Sequence, residues 1–286
     1  MADIPKTLSL SDAADLLGVH YMTAYRYVRT GRLPAVKDGA EWRVEANDVT
    51  RLLEPAPAGP TEGTSGRRRR TAYEGRLEER LVRGDEAGSW AVVESAMASG
   101  MGPDDVYTAV IAPAMTSIGD KWSRGQLSVA EEHIASAVVL RLIGRLGPRF
   151  TRRGRKRGSV VIGAPAGDAH SIPSAMAADL LRAQGFEVFD LGANVPAASF
   201  AETVRSASRL VAVGVVGTTP DNEASLRACT DAITAATDAP IILGGGAILG
   251  PEHALALGAT ASSRTVAEMI DLVVASAAPA PAAAAD

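Results

Sequence analysis

The second half of the chain alternates short apolar runs with amphipathic stretches, and this alternation constrains the fold more than any other feature. The runs are too short for helices and lie at residues 159–163, 187–191, 210–216 and 241–244, with a weaker one near residue 259. Continuous apolar strands separated by amphipathic helices are typical of a parallel sheet covered on both faces. The chain is therefore predicted to be α/β overall, with a Rossmann-like doubly wound parallel sheet over residues 158–276.

The segment before this domain is predicted to be helical. Apolar residues recur at helical spacing up to Leu146, and Asp85 and Ser128 are placed as helix N-caps. The four expected helices lie at residues 75–83, 86–99, 103–122 and 129–146. Short connections make neighbouring helices antiparallel, so residues 75–147 are predicted to form a four-helix bundle.

The first 53 residues carry a helix-turn-helix pattern. Ser11 is placed to cap a first helix, Gly18-Val19-His20 forms the turn, and a second helix covers residues 21–30. The next stretch is typical of a β-hairpin with its turn at Asp38-Gly39, which forms a wing. This order of elements is similar to the excisionase/MerR-type winged helix domains, and it assigns residues 1–53 to one winged helix-turn-helix domain.

The resemblance implies that the second helix enters the major groove of double-stranded DNA. The residues that it directs at DNA are His20, Tyr21, Thr23, Arg26 and Tyr27, while Lys37 and Arg43 of the wing approach phosphates. A helical hairpin used for protein contact is the alternative. Because acidic residues nearly balance basic ones here, one copy is expected to bind DNA weakly, and useful affinity requires an oligomer.

Three further segments connect or end these domains. Residues 54–74 are predicted to be a linker that contains the basic run Arg67–Arg70, and a second basic run spans Arg149–Arg157. For each run, a solvated linker and a phosphate-contacting surface are both open interpretations. The tail over residues 277–286 has nothing to bury, and we expect it to be disordered.

Composition argues against several classes of protein. No stretch approaches the roughly 18 apolar residues that a membrane span requires, and the N-terminus lacks a secretory pattern, so we expect a cytoplasmic protein. The single cysteine, Cys229, excludes an intramolecular disulfide framework and is interpreted as a buried thiol. We find no nucleophile–base arrangement or carboxylate pair, so the chain is not expected to be an enzyme.

The loop after the first apolar strand carries the strongest site signal. It contains Asp168-Ala169-His170 at the carboxyl end of a parallel strand, where open α/β sheets bind ligands. Asp168 can orient the His170 imidazole and raise its basicity for a metal. Asp-x-His resembles the Asp-x-His-x-x-Gly motif of cobalamin-binding domains. That resemblance implies that His170 ligates cobalt as the lower axial ligand, with Asp168 as its partner.

Later positions match this family by their spacing. Gly214-Val215-Val216 stands where the family has Ser-x-Leu, and Gly244-Gly245 stands at its Gly-Gly pair. The resemblance implies that Gly214, Val216, Gly244 and Gly245 line the slot that holds the nucleotide tail of the cofactor.

Two residues depart from the family pattern in this slot. Pro173 replaces the usual glycine, and Gly214 replaces the usual serine and its hydroxyl group. Weak binding of the tail, or a different tetrapyrrole such as a bilin, is therefore the alternative for the ligand. Thr218 and Thr219 are candidates to replace the lost hydroxyl.

The helical bundle carries a second pattern. Trp122 is followed, after nine residues, by Glu132-His133. Trp-x9-Glu-His resembles the CarH/LitR-type photoreceptor regulators, which bind adenosylcobalamin. The resemblance implies that Trp122 and Val129 cover the upper axial face of the cofactor and that Glu132 and His133 contact its adenosyl group. An indole supplies a flat apolar lid, and a carboxylate beside an imidazole can hydrogen-bond ribose and adenine.

The combined resemblances imply a light-responsive transcriptional repressor. Adenosylcobalamin between the cap and the Rossmann-like domain favours a DNA-binding homo-oligomer in the dark, expected to be a tetramer, and photolysis of the cobalt–carbon bond dissociates it. The family commonly has a histidine directly after the tryptophan, where this chain has Ser123. The residue or molecule that ligates cobalt on its upper face after photolysis is therefore expected to differ from that of the family. The alternatives are a regulator that senses a bilin or the cobalamin level, and a corrinoid protein of a methyltransferase system.

Overall fold

The computed structural model describes residues 7–17, 21–29, 33–38, 41–53 and 64–277. The chain divides into two compact units, Met1–Leu142 and Ile143–Asp286. No helix in the described part of the chain is long and apolar enough to cross a membrane.

The first unit begins with a small domain of helices and an antiparallel sheet. Its elements are β1 (Thr7–Ser9), α1 (Leu10–Leu16), α2 (Tyr21–Arg29), β2 (Ala35–Asp38), β3 (Glu41–Glu45) and α3 (Ala46–Leu53). The strands pair in the order β1-β3-β2, and Leu8, Leu33 and Val44 share a core with the helices. Two helices followed by a hairpin match the predicted winged helix-turn-helix arrangement. The turn residues 18–20 and Gly39 lie outside the described residues.

The first helix is capped by Ser9, so the prediction of Ser11 as its cap is wrong. The Ser9 hydroxyl accepts a hydrogen bond from the Asp12 N–H, and the Asp12 carboxylate accepts one from the Ser9 N–H. This capping box satisfies a backbone donor at each of the two residues. The residues that lead into it form β1, which pairs with β3 and which the sequence pattern did not indicate.

The rest of the first unit is the helical bundle. Its elements are α4 (Thr64–Val82), α5 (Glu86–Ala98), α6 (Pro103–Val106), a π-helical segment (Tyr107–Ile111), α7 (Ala112–Ser123) and α8 (Val129–Leu146), of which the last continues into the second unit. Asp85 accepts a hydrogen bond from the Gly88 N–H at 2.8 Å, and Ser128 accepts one from the Glu131 N–H at 3.2 Å. Both predicted N-caps are therefore formed.

Helix α4 begins inside the stretch for which the sequence pattern predicted a linker. It starts at Thr64 and includes Arg67–Arg70, while residues 54–63 lie outside the described part. Arginine is a good helix former, so a basic run is compatible with helix even where no apolar stripe marks it. Apolar periodicity, which predicted a start at residue 75, therefore placed this boundary too late.

The second unit contains a five-stranded parallel sheet with helices between its strands. After a 3₁₀ turn (Gly147–Phe150) its elements are β4 (Ser159–Gly163), α9 (Ile172–Ala183), β5 (Glu187–Asp190), α10 (Ala197–Ser206), β6 (Leu210–Val216), α11 (Glu223–Thr234), β7 (Ile241–Gly244), α12 (Pro251–Ala256), β8 (Ala261–Ser263) and α13 (Val266–Ser276). The strand order is β5-β4-β6-β7-β8. The prediction of a Rossmann-like doubly wound sheet is confirmed. Of the tail predicted to be disordered, only Ala277 lies within the described residues.

The strand order places a topological switch point between β4 and β6. From β4 the chain moves to β5 on one side and then returns to β6 on the other. Open α/β sheets bind ligands at the carboxyl ends of the strands at such a point. Every residue of β4 is buried, so the strand provides a rigid base for the loop that follows it.

Cys229 of α11 is fully buried, and burial raises the pKa of its thiol to about 12. Because the thiolate is the reactive form, the folded protein should not react with a disulfide reagent such as DTNB at mildly alkaline pH. We expect release of the coloured product only after guanidinium is added, which absorbance measures. Equal rates of reaction in the folded and unfolded protein would contradict this interpretation of the thiol.

Candidate functional site

The loop after β4 is organised around the carboxylate of Asp168. This residue is fully buried, and its side chain accepts hydrogen bonds from the backbone N–H groups of Thr218 at 2.5 Å and Thr219 at 3.0 Å. The Thr218 hydroxyl lies 2.9 Å and 3.0 Å from the two carboxylate oxygens. Thr218 and Thr219 follow β6, so Asp168 joins the two loops on either side of the switch point.

These contacts fix the charge of Asp168. Burial alone opposes ionisation, but hydrogen bonds from His170, Thr218 and Thr219 outweigh burial and hold the pKa of this carboxyl far below its usual range. Asp168 is therefore an anion at neutral pH. The sequence pattern made Thr218 and Thr219 candidates to replace a hydroxyl in the tail slot, whereas the structure places both on Asp168.

His170 is oriented by this anion. Its Nδ1 lies 2.7 Å from Oδ1 of Asp168, and its backbone N–H donates to the same oxygen at 3.1 Å. An ionised carboxylate only accepts hydrogen bonds, so Nδ1 carries the proton and the Nε2 lone pair is the one that can ligate a metal. The His170 side chain is 56% exposed although its partner is buried, so the imidazole reaches the surface from a fixed base.

Two asparagines that the sequence analysis did not single out hold the loop in place. Asn194 accepts a hydrogen bond from the Gly167 N–H at 2.8 Å, and its own N–H donates to the Asp168 carbonyl at 2.7 Å. Asn222 donates to the Ala166 carbonyl at 2.9 Å. Asn194 has a positive φ of 54°, a backbone conformation that asparagine adopts more readily than most residues. Its residue type was the only indication of this role in the sequence.

The glycines of the predicted tail slot face a methionine. A Cβ added to Gly214 would lie 3.1 Å from Cγ1 of Ile162 and 3.5 Å from Sδ of Met269. One added to Gly244 would lie 2.6 Å from Oγ of Ser263 and 2.8 Å from Cε of Met269. Met269 belongs to α13 and is 3% exposed. The space beside the glycines is therefore occupied by side chains of this domain, and the sequence pattern did not indicate the contacts of Met269 and Ser263.

The other two predicted slot residues take structural positions as well. Val216, at the end of β6, is 4% exposed. Gly245 has a positive φ of 103°, and a Cβ there would lie 2.3 Å from the Gly217 carbonyl oxygen. No other residue fits so close to a neighbouring backbone, so glycine is required at this position whether or not a ligand is bound.

The bundle presents the four residues of the Trp-x9-Glu-His pattern at the end of α7 and the start of α8. Trp122 is 46% exposed and Val129 is 56% exposed, which is high for apolar side chains in a helical bundle. Glu132 accepts a hydrogen bond from the Ser136 hydroxyl at 2.7 Å and pairs with Nδ1 of His133 at 2.8 Å. An apolar surface and a fixed carboxylate–imidazole pair are therefore both accessible to a ligand.

The predicted DNA-contacting residues are described in part. Tyr21 is 43% exposed and stacks on Tyr25, with ring centroids 6.4 Å apart. Tyr27 packs partly against the domain core. Lys37 lies over the Trp42 ring at 5.9 Å, and Arg43 is exposed on β3. His20 and the side chains of Thr23 and Arg26 lie outside the described residues.

Three segments of the chain match known domain families. Residues 7–56 match a helix-turn-helix domain. Residues 73–146 and residues 158–273 each match a B12 binding domain, by two different family models. The two B12 matches coincide with the helical bundle and the parallel sheet that carry the candidate ligand residues. The cofactor of this chain is a cobalamin.

The relatives that this chain matches are corrinoid proteins. The trimethylamine corrinoid protein of Methanosarcina barkeri is 31% identical over 117 residues, which are 40% of this chain and 54% of that protein. The trimethylamine corrinoid protein 1 of Methanosarcina acetivorans is 30% identical over 124 residues, 42% of this chain and 57% of that protein. The chain thus spans somewhat more than half the length of these relatives.

A solved structure supports the fold. The monomethylamine corrinoid protein of Methanosarcina barkeri superposes with a TM-score of 0.64 at 18% sequence identity, over 72% of this chain and 98% of that chain. At this identity the comparison concerns the arrangement of helices and strands alone.

The donor set around His170 fits a cobalamin. Across the described residues no group of three or more His, Cys, Asp or Glu side chains is placed to hold a metal ion. A corrin ring brings its own equatorial nitrogen ligands, so a single imidazole suffices where a bare ion would need several protein ligands. His170, with its Nδ1 proton held by Asp168, supplies that single ligand.

Asp168→Asn should weaken the fold of the ligand-free protein. The amide offers one acceptor oxygen in place of two, and each buried donor left unsatisfied costs about 1–3 kcal/mol. Because the folded pKa of Asp168 is depressed, its contribution is present above the unfolded pKa of about 3.9 and is lost as the pH falls below it. We expect the wild-type free energy of unfolding, measured in urea, to fall more steeply on acidification than that of the variant.

Thr219→Val is the matched control, because Thr219 contacts Asp168 through its backbone N–H. This variant should keep the wild-type dependence on pH. Parallel acid profiles for wild type and Asp168→Asn would show that Asp168 is not the group responsible.

Met269→Ala should change which corrinoids the protein binds. Removing this side chain opens space beside Gly214 and Gly244, at an expected loss of about 2–5 kcal/mol in the stability of the ligand-free protein. Binding of cobalamin, which carries the nucleotide tail, should strengthen relative to cobinamide, which lacks it. Absorbance titration of both ligands measures the ratio. Met269→Leu, which conserves volume, should retain the wild-type ratio, and an unchanged ratio in Met269→Ala would refute this role.

Proposed function

We propose that this chain is a light-responsive transcriptional repressor that uses adenosylcobalamin. The observation that supports the proposal is the presence, on one chain, of a helix-turn-helix domain match and two B12 binding domain matches. A cofactor carrier alone has no need of a helix-turn-helix domain. In this proposal the chain acts as a regulator rather than as an enzyme, and its partners are double-stranded DNA and further copies of itself.

In the parallel-sheet domain, His170 would hold the cobalt through Nε2. Asp168 holds the Nδ1 proton, which fixes the tautomer and raises the basicity of the ligating nitrogen. The backbone of Thr218 and Thr219 keeps Asp168 in place and, together with His170, keeps it ionised. The axial ligand is thereby oriented by the protein before any cofactor binds.

In the bundle, Trp122 and Val129 form an apolar cover, and Glu132 with His133 provides hydrogen-bonding groups for the adenosyl moiety. The Ser136 hydroxyl fixes one Glu132 oxygen, and His133 pairs with the other. Adenosylcobalamin supplies a cobalt–carbon bond that visible light breaks. Trp122 and the Glu132–His133 pair would hold the adenosyl group, so these bundle residues would be the part of the protein that responds to its loss.

Oligomerisation would connect loss of the adenosyl group to a change in DNA affinity. Several weakly binding helix-turn-helix domains gain affinity when one assembly places them on a single operator, so dissociation of a tetramer releases DNA without altering any base contact. Lys37 and Arg43 are the described residues of the hairpin that we assign to phosphates.

A second candidate function is that of a corrinoid protein serving a methyltransferase. It is favoured by the names of the curated relatives, which are corrinoid proteins for methylamines. The helix-turn-helix match favours the repressor. Methyl transfer from the methylated corrinoid form to an acceptor, without DNA binding, would identify the second function.

The test is size-exclusion chromatography of the full chain with adenosylcobalamin, with absorbance recorded in the dark and after green light. We expect corrinoid absorbance to co-elute with an oligomer in the dark and the mass of the protein to fall after light. Binding of an operator duplex, selected beforehand from random sequences, should be lost at the same time. His170→Ala should alter the corrinoid spectrum, whereas His253→Ala in α12 should not.

Either of two results would overturn the light-driven mechanism. If mass and operator affinity both stay constant on illumination while cobalamin is retained, the protein senses the cobalamin level instead. If no duplex is selected in either state, the repressor proposal fails and the methyltransferase assay becomes decisive.

A further inference from the structure

The segment before β4 concentrates positive charge. Residues 149–157 contain six arginine or lysine residues and no acidic residue. Residues 151–155 are all exposed, and Arg209, in the turn before β6, is exposed beside them. The basic patch is defined here as Arg152, Arg153, Arg155, Lys156, Arg157 and Arg209.

The basic patch belongs to an ordered loop. The Arg209 guanidinium donates to the Lys156 carbonyl at 3.1 Å and to the Arg157 carbonyl at 2.9 Å, and Lys156 Nζ donates to the Arg152 carbonyl at 2.9 Å. Arg157 lies over the buried Phe186 ring at 4.9 Å, and its N–H donates to the Gly185 carbonyl at 3.0 Å. The loop is thus fixed to the domain, and its charges are held together in spite of their repulsion.

The backbone conformation of Arg209 is a second sign that the loop is fixed. Its φ is 53°, in the left-handed region that arginine rarely adopts. The strained turn is fixed by the Arg209 carbonyl, which accepts from the Ser159 N–H at 3.0 Å. A residue held in such a conformation marks a position where the surrounding structure stabilises an unfavourable geometry, and here that geometry directs a guanidinium at the loop.

The cations of the basic patch have no carboxylate partner in the described part of the chain. Among the residues that the structure describes, no carboxylate oxygen lies within 4.0 Å of any of them. Glu187 begins the neighbouring strand β5 and donates its backbone N–H to the Gly158 carbonyl, but it forms no ion pair with the described residues of the loop. The patch therefore presents uncompensated positive charge to solvent.

The patch is separate from the cobalamin site. It precedes the amino end of β4, whereas Asp168 and His170 follow its carboxyl end. Five strand residues separate the two by about 16 Å at a rise of about 3.3 Å per residue. The basic patch therefore contains none of the residues proposed to hold the cobalt.

We propose that the basic patch contacts the phosphate backbone of DNA independently of base sequence. This inference rests on the proposed DNA-binding function, because the helix-turn-helix match makes a nucleic acid duplex the polyanion that this chain meets. Exposed guanidinium groups on an ordered loop match phosphates, since they donate two parallel hydrogen bonds and lose little freedom on binding. The patch supplies the general affinity that a charge-balanced winged helix domain lacks.

The experiment measures how binding of a random-sequence DNA duplex by the full cobalamin-loaded chain depends on salt. In the loop variant Arg152, Arg153 and Arg155, whose side chains do not hold the loop, are each replaced by Gln. The slope of log K against log salt should become shallower by about 0.9 for each phosphate that the variant no longer neutralises, up to about 2.7. Circular dichroism and cobalamin absorbance check that the variant is folded and loaded.

A control variant removes the same charge elsewhere. Arg83→Gln, Arg141→Gln and Arg264→Gln change three exposed arginines outside the basic patch. A shallower slope in the loop variant together with a wild-type slope in the control supports the proposal. Equal slopes for the loop variant and wild type, an equally shallow slope in both variants, or no binding of random duplex by wild type would each overturn it.

A separate variant tests whether the winged helix domain binds DNA. Lys37→Gln with Arg43→Gln should lower affinity for the selected operator if the winged helix domain reads DNA. If that variant binds like wild type while the loop variant loses salt dependence, the basic patch stands and the winged-helix assignment fails.

Discussion

The carboxylate of Asp168 joins loops that come from two neighbouring strands, and the geometry of the site depends on it. Burial alone would favour the neutral acid, and the hydrogen bonds from His170, Thr218 and Thr219 together overcome it and lower the pKa of this carboxyl. A neutral Asp168 would no longer dictate which ring nitrogen of His170 carries the proton. The order of the strands brings the two loops together, and the Asp168 carboxylate between them fixes the orientation of the His170 imidazole.

Most residues whose role depends on local pattern were predictable from the sequence, although the cap of α1 is Ser9 rather than Ser11. Short apolar runs identified β4, β6 and β7, because a strand buried on both faces must be apolar throughout. Asp168 and His170 were identifiable because two residues of separation suffice to place a carboxylate against an imidazole. The caps at Asp85 and Ser128 followed from the same kind of local rule.

Residues whose role depends on distant partners were not predictable. Thr218 meets Asp168 across 50 positions of sequence, and Met269 reaches Gly214 from the last helix of the sheet domain. The start of α4 was misplaced because helix propensity without an apolar stripe gives little signal. The hydrogen bonds from Arg209 to the loop before β4 were not predictable either, since neither the residue type nor the spacing requires them.

Met269 also bears on the order of events during the life of the protein. A domain whose glycine-lined space is already packed by Met269 and its neighbours does not need cobalamin to fill this part of its core. If the nucleotide tail enters this space, Met269, whose side chain is unbranched and flexible, is a group that would have to move. Packing of this kind would let the chain be made before its cofactor is present, so that filling the site need not wait on synthesis of new protein.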